Sequence, residues 1–411
     1  MSEASESKIE RLQTDRRIPG KAVAEGQSNC ASGCYGEGDS SARYGTVTVD
    51  LGAIQRNWQS LRRTLNSDTE CGAVIKANAY GLGAGPVSRV LYAGGCRSYF
   101  VATVDEGITA RRHLEASAEI YVLGGFRPGG EIDCVTHRLI PVLFTLEQMH
   151  CWRSVSSRNQ APCAIKIDTG MTRLGLDVEM FYHLCQERQL LLECHPTLFM
   201  SHLACADDSS HPQNMSQLQC FQRAAKLIRS LIPGIRLSLA NSSGICLGTD
   251  WHFDLVRPGA AIYGVNPQPG KANIVEHVVQ LHLPIIQVRD IRPGASVGYG
   301  ATYKVARPSR LAVVMGGYAD GIHRTLGNRR LGLLAGIQVP VAGRISMDST
   351  SFDITEVPSE QVPEEGRGSI QLLGDQLTVD DVGAAGGTLG YEVLTSLGDR
   401  YQHRYINSVA D

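Results

Sequence analysis

Short apolar runs recur along the first two-thirds of the chain: "GAVIKA", "YFVATV", "EIYVLG", "LIPVLF", "CAIKID", "TLFMSHLA" and "IRLSLA". Each fits a short buried strand. Between several of them lie amphipathic stretches, "GPVSRVLYAGG", "VDEGITARRHLE", "VEMFYHLCQE" and "QLQCFQRAAKLIRSL", which fit helices packed on one face. Strand–helix units repeated over roughly 220 residues predict an α/β fold, a parallel sheet with helices outside it. The number of units favours a closed (β/α)8 barrel of TIM type over an open sheet, although periodicity alone leaves closure open. Upstream, "YGTVTVDLGAIQRNWQSLRRTL" reads as an alternating strand, Asp50 as a helix cap, and an amphipathic helix.

The pattern changes near residue 272. The stretches "VEHVVQLHLPIIQVRDIRPG", "LAVVMGGYADG", "IQVPVAGRISMDSTSFDIT" and "SIQLLG" are β-rich and punctuated by Gly and Pro. They predict a second, mostly antiparallel β domain. Residues 1–42, rich in Ser, Gly, Ala and charge, show no periodicity and read as a flexible extension. The expected organisation is an extension at 1–42, a barrel at 43–275 and a β-rich domain at 276–411.

Composition narrows the partners. With 43% hydrophobic and 19% charged residues the chain can fill a core. A net charge of -2 provides no basic footprint, which argues against nucleic acid. No apolar run reaches the length of a membrane span. The opening stretch "MSEASESKIERLQTDRRIPG" lacks the apolar centre of a signal peptide, so a cytoplasmic protein is expected. The 12 cysteines are scattered, and the one close pair, Cys30 and Cys34, has no histidine cluster beside it. They read as reduced thiols, with no metal site expected.

In a parallel barrel, chemistry sits at the C-terminal ends of the strands. Lys76 lies there in "AVIKANAYGLG", Lys166 in "AIKIDTGMTRLG" with Arg173 a short loop on, and His202 in "LFMSHLACAD". Asn241 and Ser242 follow "IRLSLA", and Arg257 ends "HFDLVRPGAAIYG". Singly, each has a plain reading: a lysine snorkelling to water, a satisfied core histidine, an arginine bridging a loop. Together, at successive strand ends, they read as a site. The set lacks paired carboxylates, a Ser-His-Asp order and metal-ligand spacing. "RPGAAIYG" places backbone amides in a late strand–helix loop, where barrels bind phosphate, and "NSSG" adds a hydroxyl. A phosphate site opposite a lysine suits pyridoxal phosphate held as a Schiff base, and equally a phosphosugar aldolase.

The stretches "AVIKANAYGLG", "KIDTGMTRLG", "SHLACAD", "ANSSG", "VRPGAAIYG", "VGYGATY", "GYADG" and "GRISMD", in this order, closely resemble the alanine racemase family of fold type III pyridoxal-phosphate enzymes. The resemblance runs from about residue 43 to the C-terminus and implies pyridoxal 5'-phosphate-dependent interconversion of L- and D-alanine, for peptidoglycan or for alanine catabolism. It implies that Lys76 bears the cofactor and is one catalytic base. Tyr80, Ser242, the amides of Gly259 and Ala260, and Tyr391 would hold the phosphate. Arg257 would face the pyridine nitrogen, with His202 supporting it. Tyr299 would be the second base, contributed by the partner subunit of a homodimer with shared sites. Arg173 and the Met347 amide would bind the substrate carboxylate. Tyr318, Asp320, Arg324, Asp207 and Arg344 would line a narrow access corridor. The family's counterpart of Lys166 can be carbamylated.

The two-base scheme is physically coherent. One face of Cα loses its proton and the other regains one, so bases are needed on both sides of a planar cofactor. Tyrosine is a weak base near its ordinary pKa of about 10, and a cationic or hydrogen-bonding environment, which His202 and Arg257 could supply, would favour its phenolate. Leu82 stands where the family usually has histidine, and residues 1–42 have no place in the pattern. A broad-spectrum or serine racemase shares the same bases and is the alternative reading. A non-catalytic pyridoxal-phosphate carrier lacks the second domain and the opposing tyrosine, and a barrel decarboxylase needs a cysteine or acidic constellation not found here.

Overall fold

β1 (Thr46–Asp50) leads directly into a helix at Leu51–Arg63, whose first turn is capped by Asp50 accepting the Ala53 N–H at 2.9 Å. The barrel then begins at β2 (Glu70–Cys71) and β3 (Ala73–Val74), two halves of one strand interrupted at Gly72. It continues through β4 (Ser98–Val101), β5 (Glu119–Val122), β6 (Ile140–Leu143), β7 (Cys163–Lys166), β8 (Pro196–Met200), β9 (Arg236–Ser238) and β10 (Leu255–Val256). The computed structural model describes residues 45–364 and 366–407, so the extension expected at 1–42 lies outside the described residues.

β3 to β9 pair in order as a parallel sheet. Two joints close it. β10 pairs in parallel with β2, Leu255 opposite Glu70 and Val256 opposite Cys71. Just past β10, the Arg257 N–H reaches the Ala240 carbonyl beyond β9 at 3.0 Å. The ring is therefore an eight-stranded barrel, which settles the closure that periodicity left open. Val74, Phe100, Tyr121, Val142, Ala164, Leu198, Met200 and Leu255 fill its interior, and the Phe100 and Tyr121 rings stack at 4.8 Å. Burying each large side chain contributes about 1.5–3 kcal/mol. At the N-terminal end, Arg236 closes the floor through Glu70 at 2.8 Å and Glu119 at 2.6 Å.

The outer helices start where capping chemistry dictates. Thr103, Thr145 and Asp177 each accept an N–H from the first turn of the helix they precede. The stretch "VEMFYHLCQE" is the helix Val178–Glu187. "QLQCFQRAAKLIRSL" is the later part of a longer helix, Pro212–Leu231, which starts upstream because His211 caps it and proline is favoured in the first turn. Among the described residues, no helix is long and apolar enough to cross a membrane.

Past the barrel come β11 (Val279–Ile291), β12 (Ser296–Val297), β13 (Tyr303–Lys304), β14 (Ser309–Met315), β15 (Arg330–Leu334), β16 (Ile337–Pro340), β17 (Ser349–Asp353), β18 (Ser369–Leu373) and β19 (Gln402–Ile406). They form a mostly antiparallel domain organised on the long β11, which pairs with β1, β14 and β18. β1 corrects the sequence reading. It was expected at the start of the 43–275 barrel, but it lies between β11 and β19, antiparallel to the first and parallel to the second. Its alternating pattern suits one-sided burial, and the choice of sheet rests on partners more than 200 residues away along the chain, such as His282 opposite Thr46.

Candidate active site

Lys76 follows the end of β3, and the backbone after it turns the unusual way. Ala77, Asn78, Ala79 and Tyr80 all have φ between 51° and 55°, one turn of left-handed helix. For L-residues this costs about 1–2 kcal/mol each, so the turn needs support from its surroundings. Within the turn, Ala79 N–H donates to the Ile75 carbonyl (2.9 Å), Gly81 N–H to Ala77 (2.8 Å) and Gly83 N–H to Asn78 (2.9 Å). The Asn78 side chain accepts the Ala84 N–H at 2.8 Å. Glu106, from the next strand–helix unit, accepts the Ala77 N–H at 2.9 Å and the Ala102 N–H at 2.7 Å. Gly81 has φ +83°, and a Cβ there would stand 2.6 Å from the Leu394 carbonyl oxygen. Leu82 is fully buried in the apolar core, so its side chain serves packing beneath the turn.

Four cations gather at this mouth. Arg257, only 3% exposed, donates to the Ser201 carbonyl (2.7 Å), the Leu239 carbonyl (3.2 Å) and the Ser238 hydroxyl, and lies 3.3 Å from His202 Nδ1. It makes no ion pair with a carboxylate among the described residues. Burial pushes its pKa down to about 9, which still leaves it charged at neutral pH. Lys166, 6% exposed, is pushed down to about 8 by burial and by Arg257 and Arg173, against the pull of Asp168. Burial and Arg173 also lower Lys76, with Glu106 opposing. Burial and all four cations hold His202 well below the usual histidine range. Of the two expected neighbours of a tyrosine base, Arg257 keeps the cationic role and His202 is left with the hydrogen-bonding one.

The loop after β7 that carries Arg173 is organised by Asp168. Its carboxylate accepts the N–H groups of Gly170 (2.8 Å), Met171 (2.8 Å) and Arg173 (3.1 Å), leaving the Arg173 side chain exposed. A buried amide, Gln217, accepts the Ala204 N–H (2.9 Å) and donates to the His202 carbonyl (2.9 Å) and the Thr169 hydroxyl (3.2 Å). It ties the β7 and β8 loops together.

The late loops form a cup of donors. Ser242 Oγ accepts the N–H groups of Gly259 (2.9 Å) and Ala261 (3.2 Å), so its own proton is free to donate. The Ala260 N–H has no acceptor among the described residues. The Tyr80 hydroxyl stands 2.5 Å from where a Cβ on Gly259 would lie, so only glycine leaves that space. Tyr80 packs on the Tyr263 ring at 4.7 Å. Tyr391 comes within electrostatic reach of Tyr80 and Asp207, carried by a helix at Gly390–Ser396. Asn241 is a cap rather than part of this cup, its side chain accepting the Gly244 N–H at 2.8 Å.

Other expected site residues lie on the second domain. Tyr299 is 69% exposed in a short turn between β12 and β13, without a hydrogen bond or ring contact to a barrel residue among the described residues. Arg344 lies against that turn, its Nη1 2.9 Å from a Cβ placed on Gly300. Met347 is 53% exposed, and its N–H has no acceptor among the described residues. Tyr318 and Arg324 are exposed on the same domain. Asp320 differs from the corridor expectation: it is fully buried, bonded to Arg400 at 2.6 and 2.8 Å and to the Gly317 N–H at 2.9 Å. It braces its loop. Sequence reading did not single out Glu106, Ser201, Ser238 or Gln217. Glu106 has a local signal, the Thr103-x-x-Glu106 capping pattern, and the others have none.

Family models describe most of the chain. The alanine racemase N-terminal domain matches residues 49–267, and the alanine racemase C-terminal domain matches 278–405. An alanine racemase of Rhodospirillum rubrum is 47% identical over 361 residues, covering 87% of this chain and 95% of that one. A catabolic alanine racemase of Agrobacterium fabrum is 41% identical, covering 88% and 92%. Among solved structures, alanine racemase from Bartonella henselae with covalently bound pyridoxal phosphate superposes with a TM-score of 0.82 at 36% identity, over 88% of this chain and 99% of that one. The biosynthetic alanine racemase of Pseudomonas aeruginosa gives 0.81 at 33% identity, over 88% and 99%.

Proposed function

This chain is an enzyme of the alanine racemase family, and from that premise we propose that it interconverts L- and D-alanine using pyridoxal 5'-phosphate on Lys76. Lys76 and the Tyr299 of a second copy are its two bases. What supports this reading is the barrel mouth itself: Lys76, Lys166, Arg173 and Arg257 converge beside a cup of hydroxyl and amide donors. Such a mouth suits a ligand carrying both phosphate and carboxylate. The space that a Cβ on Gly259 would fill, together with the free Ala260 N–H, fits the phosphate. Ser242, Tyr80 and Tyr391 would complete its hold.

When bound, the cofactor supplies an electron sink for charge developing at the substrate Cα. Arg257 retains its proton at neutral pH and can only donate towards a ring nitrogen, which limits that sink and disfavours transamination. Arg173 and the Met347 N–H fix the substrate carboxylate. Lys76, with its proton affinity lowered by burial and Arg173, is more often unprotonated than an exposed lysine at the same pH, and so more often available at Nζ as a base. Tyr299 and Met347, exposed on the second domain, reach a mouth other than their own, so the working unit is a homodimer. A cytoplasmic location agrees with ten described cysteines, all of them free.

Borohydride reduction of the purified enzyme should fix the cofactor to Lys76, and a coupled assay should register D-alanine from L-alanine. A label on Lys166, or none, would overturn the assignment of Lys76.

We further propose that Lys166 is carbamylated. The neutral amine attacks CO2, an N–C bond forms as one C=O π bond breaks, and the amine proton leaves to water. A pKa near 8 makes the amine half neutral at about pH 8, where an ordinary lysine is almost wholly charged. The resulting anion faces Arg173 and Arg257 in place of a repelling cation. Intact mass under bicarbonate should show one added CO2, increasing from pH 7 to pH 8.5 and absent in Lys166→Arg. An unmodified mass throughout would remove the proposal.

A further inference from the structure

We propose that Glu106 is a positioning residue for Lys76, its carboxylate pinning the left-handed turn behind the lysine and setting a negative charge within reach of the lysine amine. A capping-box glutamate ordinarily bonds the N–H of its own cap residue. Here the cap is Thr103, whose hydroxyl accepts the Glu106 N–H at 3.3 Å. The carboxylate passes beyond it, with Oε2 on the Ala102 N–H and Oε1 on the Ala77 N–H. Among the described residues, no other hydrogen bond joins residues 76–83 to a different strand–helix unit.

The position matters because Ala77 opens the left-handed run, where the amide of a β-strand end would otherwise point to water. Fixing that amide fixes the direction in which the preceding Cα presents its side chain. The charged groups acting on Lys76 are few. Arg173, from the β7 loop, lowers its proton affinity, and Glu106, from the helix after β4, raises it. Lys76 in turn acts on Lys166 and His202, which feel Arg257 as well. Glu106 is thus the carboxylate that offsets a cationic ring at the one amine that must both hold a proton and release it.

The inference rests on the reading of Lys76 given above, and its test separates the two. Trace acetylation of the cofactor-free full-length chain, read at Lys76 by peptide mass spectrometry across pH, reports that amine whether or not racemisation occurs. Glu106→Gln removes the charge with little change in shape. It should make Lys76 label roughly three- to tenfold faster at a fixed pH below the midpoint, since an opposite charge nearby normally raises a lysine pKa. In the loaded enzyme it should weaken cofactor retention about tenfold on dialysis, a loss that one charge-assisted hydrogen bond can account for. Glu106→Asp keeps the charge and should fall between Gln and the parent. Thr103→Ala, which loosens the same helix start but keeps the carboxylate, should leave the labelling profile unmoved. If Gln fails to fold, Asp and Thr103→Ala still decide. Equal profiles in all folded variants, or a Thr103→Ala shift matching that of the Glu106 variants, would overturn the proposal. Failure to trap cofactor on Lys76 would instead strike the reading beneath it.

Discussion

Tyr299→Phe is expected to retain the cofactor and its absorbance while losing exchange of the L-alanine Cα proton into deuterated water, by roughly 10²–10⁴-fold. Exchange from D-alanine should survive far better. The asymmetry follows from the proposed two-base scheme: Lys76, just past the end of β3, would serve one face, and the opposite face would depend on a group brought from elsewhere. In the family's scheme, Lys76 takes the proton of D-alanine and Tyr299 that of L-alanine. Phenylalanine keeps the ring and removes only the hydroxyl, so lost exchange reports chemistry rather than packing. On the proposed role of Met347, through its backbone N–H, Met347→Leu should change either rate little. Equal loss for both enantiomers, with cofactor still bound, would refute the assignment of faces.

Mixing inactive Lys76→Ala and Tyr299→Ala subunits should restore about a quarter of the parental activity, because random exchange makes half the dimers mixed and one site in each mixed dimer whole. The expectation comes from the exposure of Tyr299 on the second domain. It is 69% exposed, in a short turn of the second domain against which Arg344 lies. The second domain splits its contributions. Tyr391 reaches its own mouth near Tyr80, whereas Tyr299 and Met347 face outwards. Absence of rescue after proven subunit exchange would place both bases in one chain and sink the shared site.

Much of the architecture was legible because it is written locally. Alternating apolar runs and amphipathic stretches gave the barrel units, and Asp50 and the helix at Val178–Glu187 stand where capping and periodicity placed them. Strand-end polar residues mark the mouth in the sequence itself, since a barrel strand delivers its last side chain to a known face. Lys76, Lys166, His202 and Arg257 do gather there.

What the sequence could not decide is what depends on distant partners. Nothing in "TVTVD" tells which sheet it joins, because one-sided burial looks the same in either, and only pairing with β11 and β19 settled it. Barrel closure likewise rests on a joint between chain segments about 185 residues apart, Leu255 opposite Glu70. Asp320 carries the same letters in a corridor or in a core, and the arrival of Arg400 made it a buried brace. The protonation of the mouth is collective too: His202 is neutral and Lys166 reaches about 8 because burial and neighbouring cations act together. Sequence alone determined the residue types and their order along the barrel. Tertiary structure decided which of them share an environment, because fields and long-range pairing exist only once the chain has closed on itself.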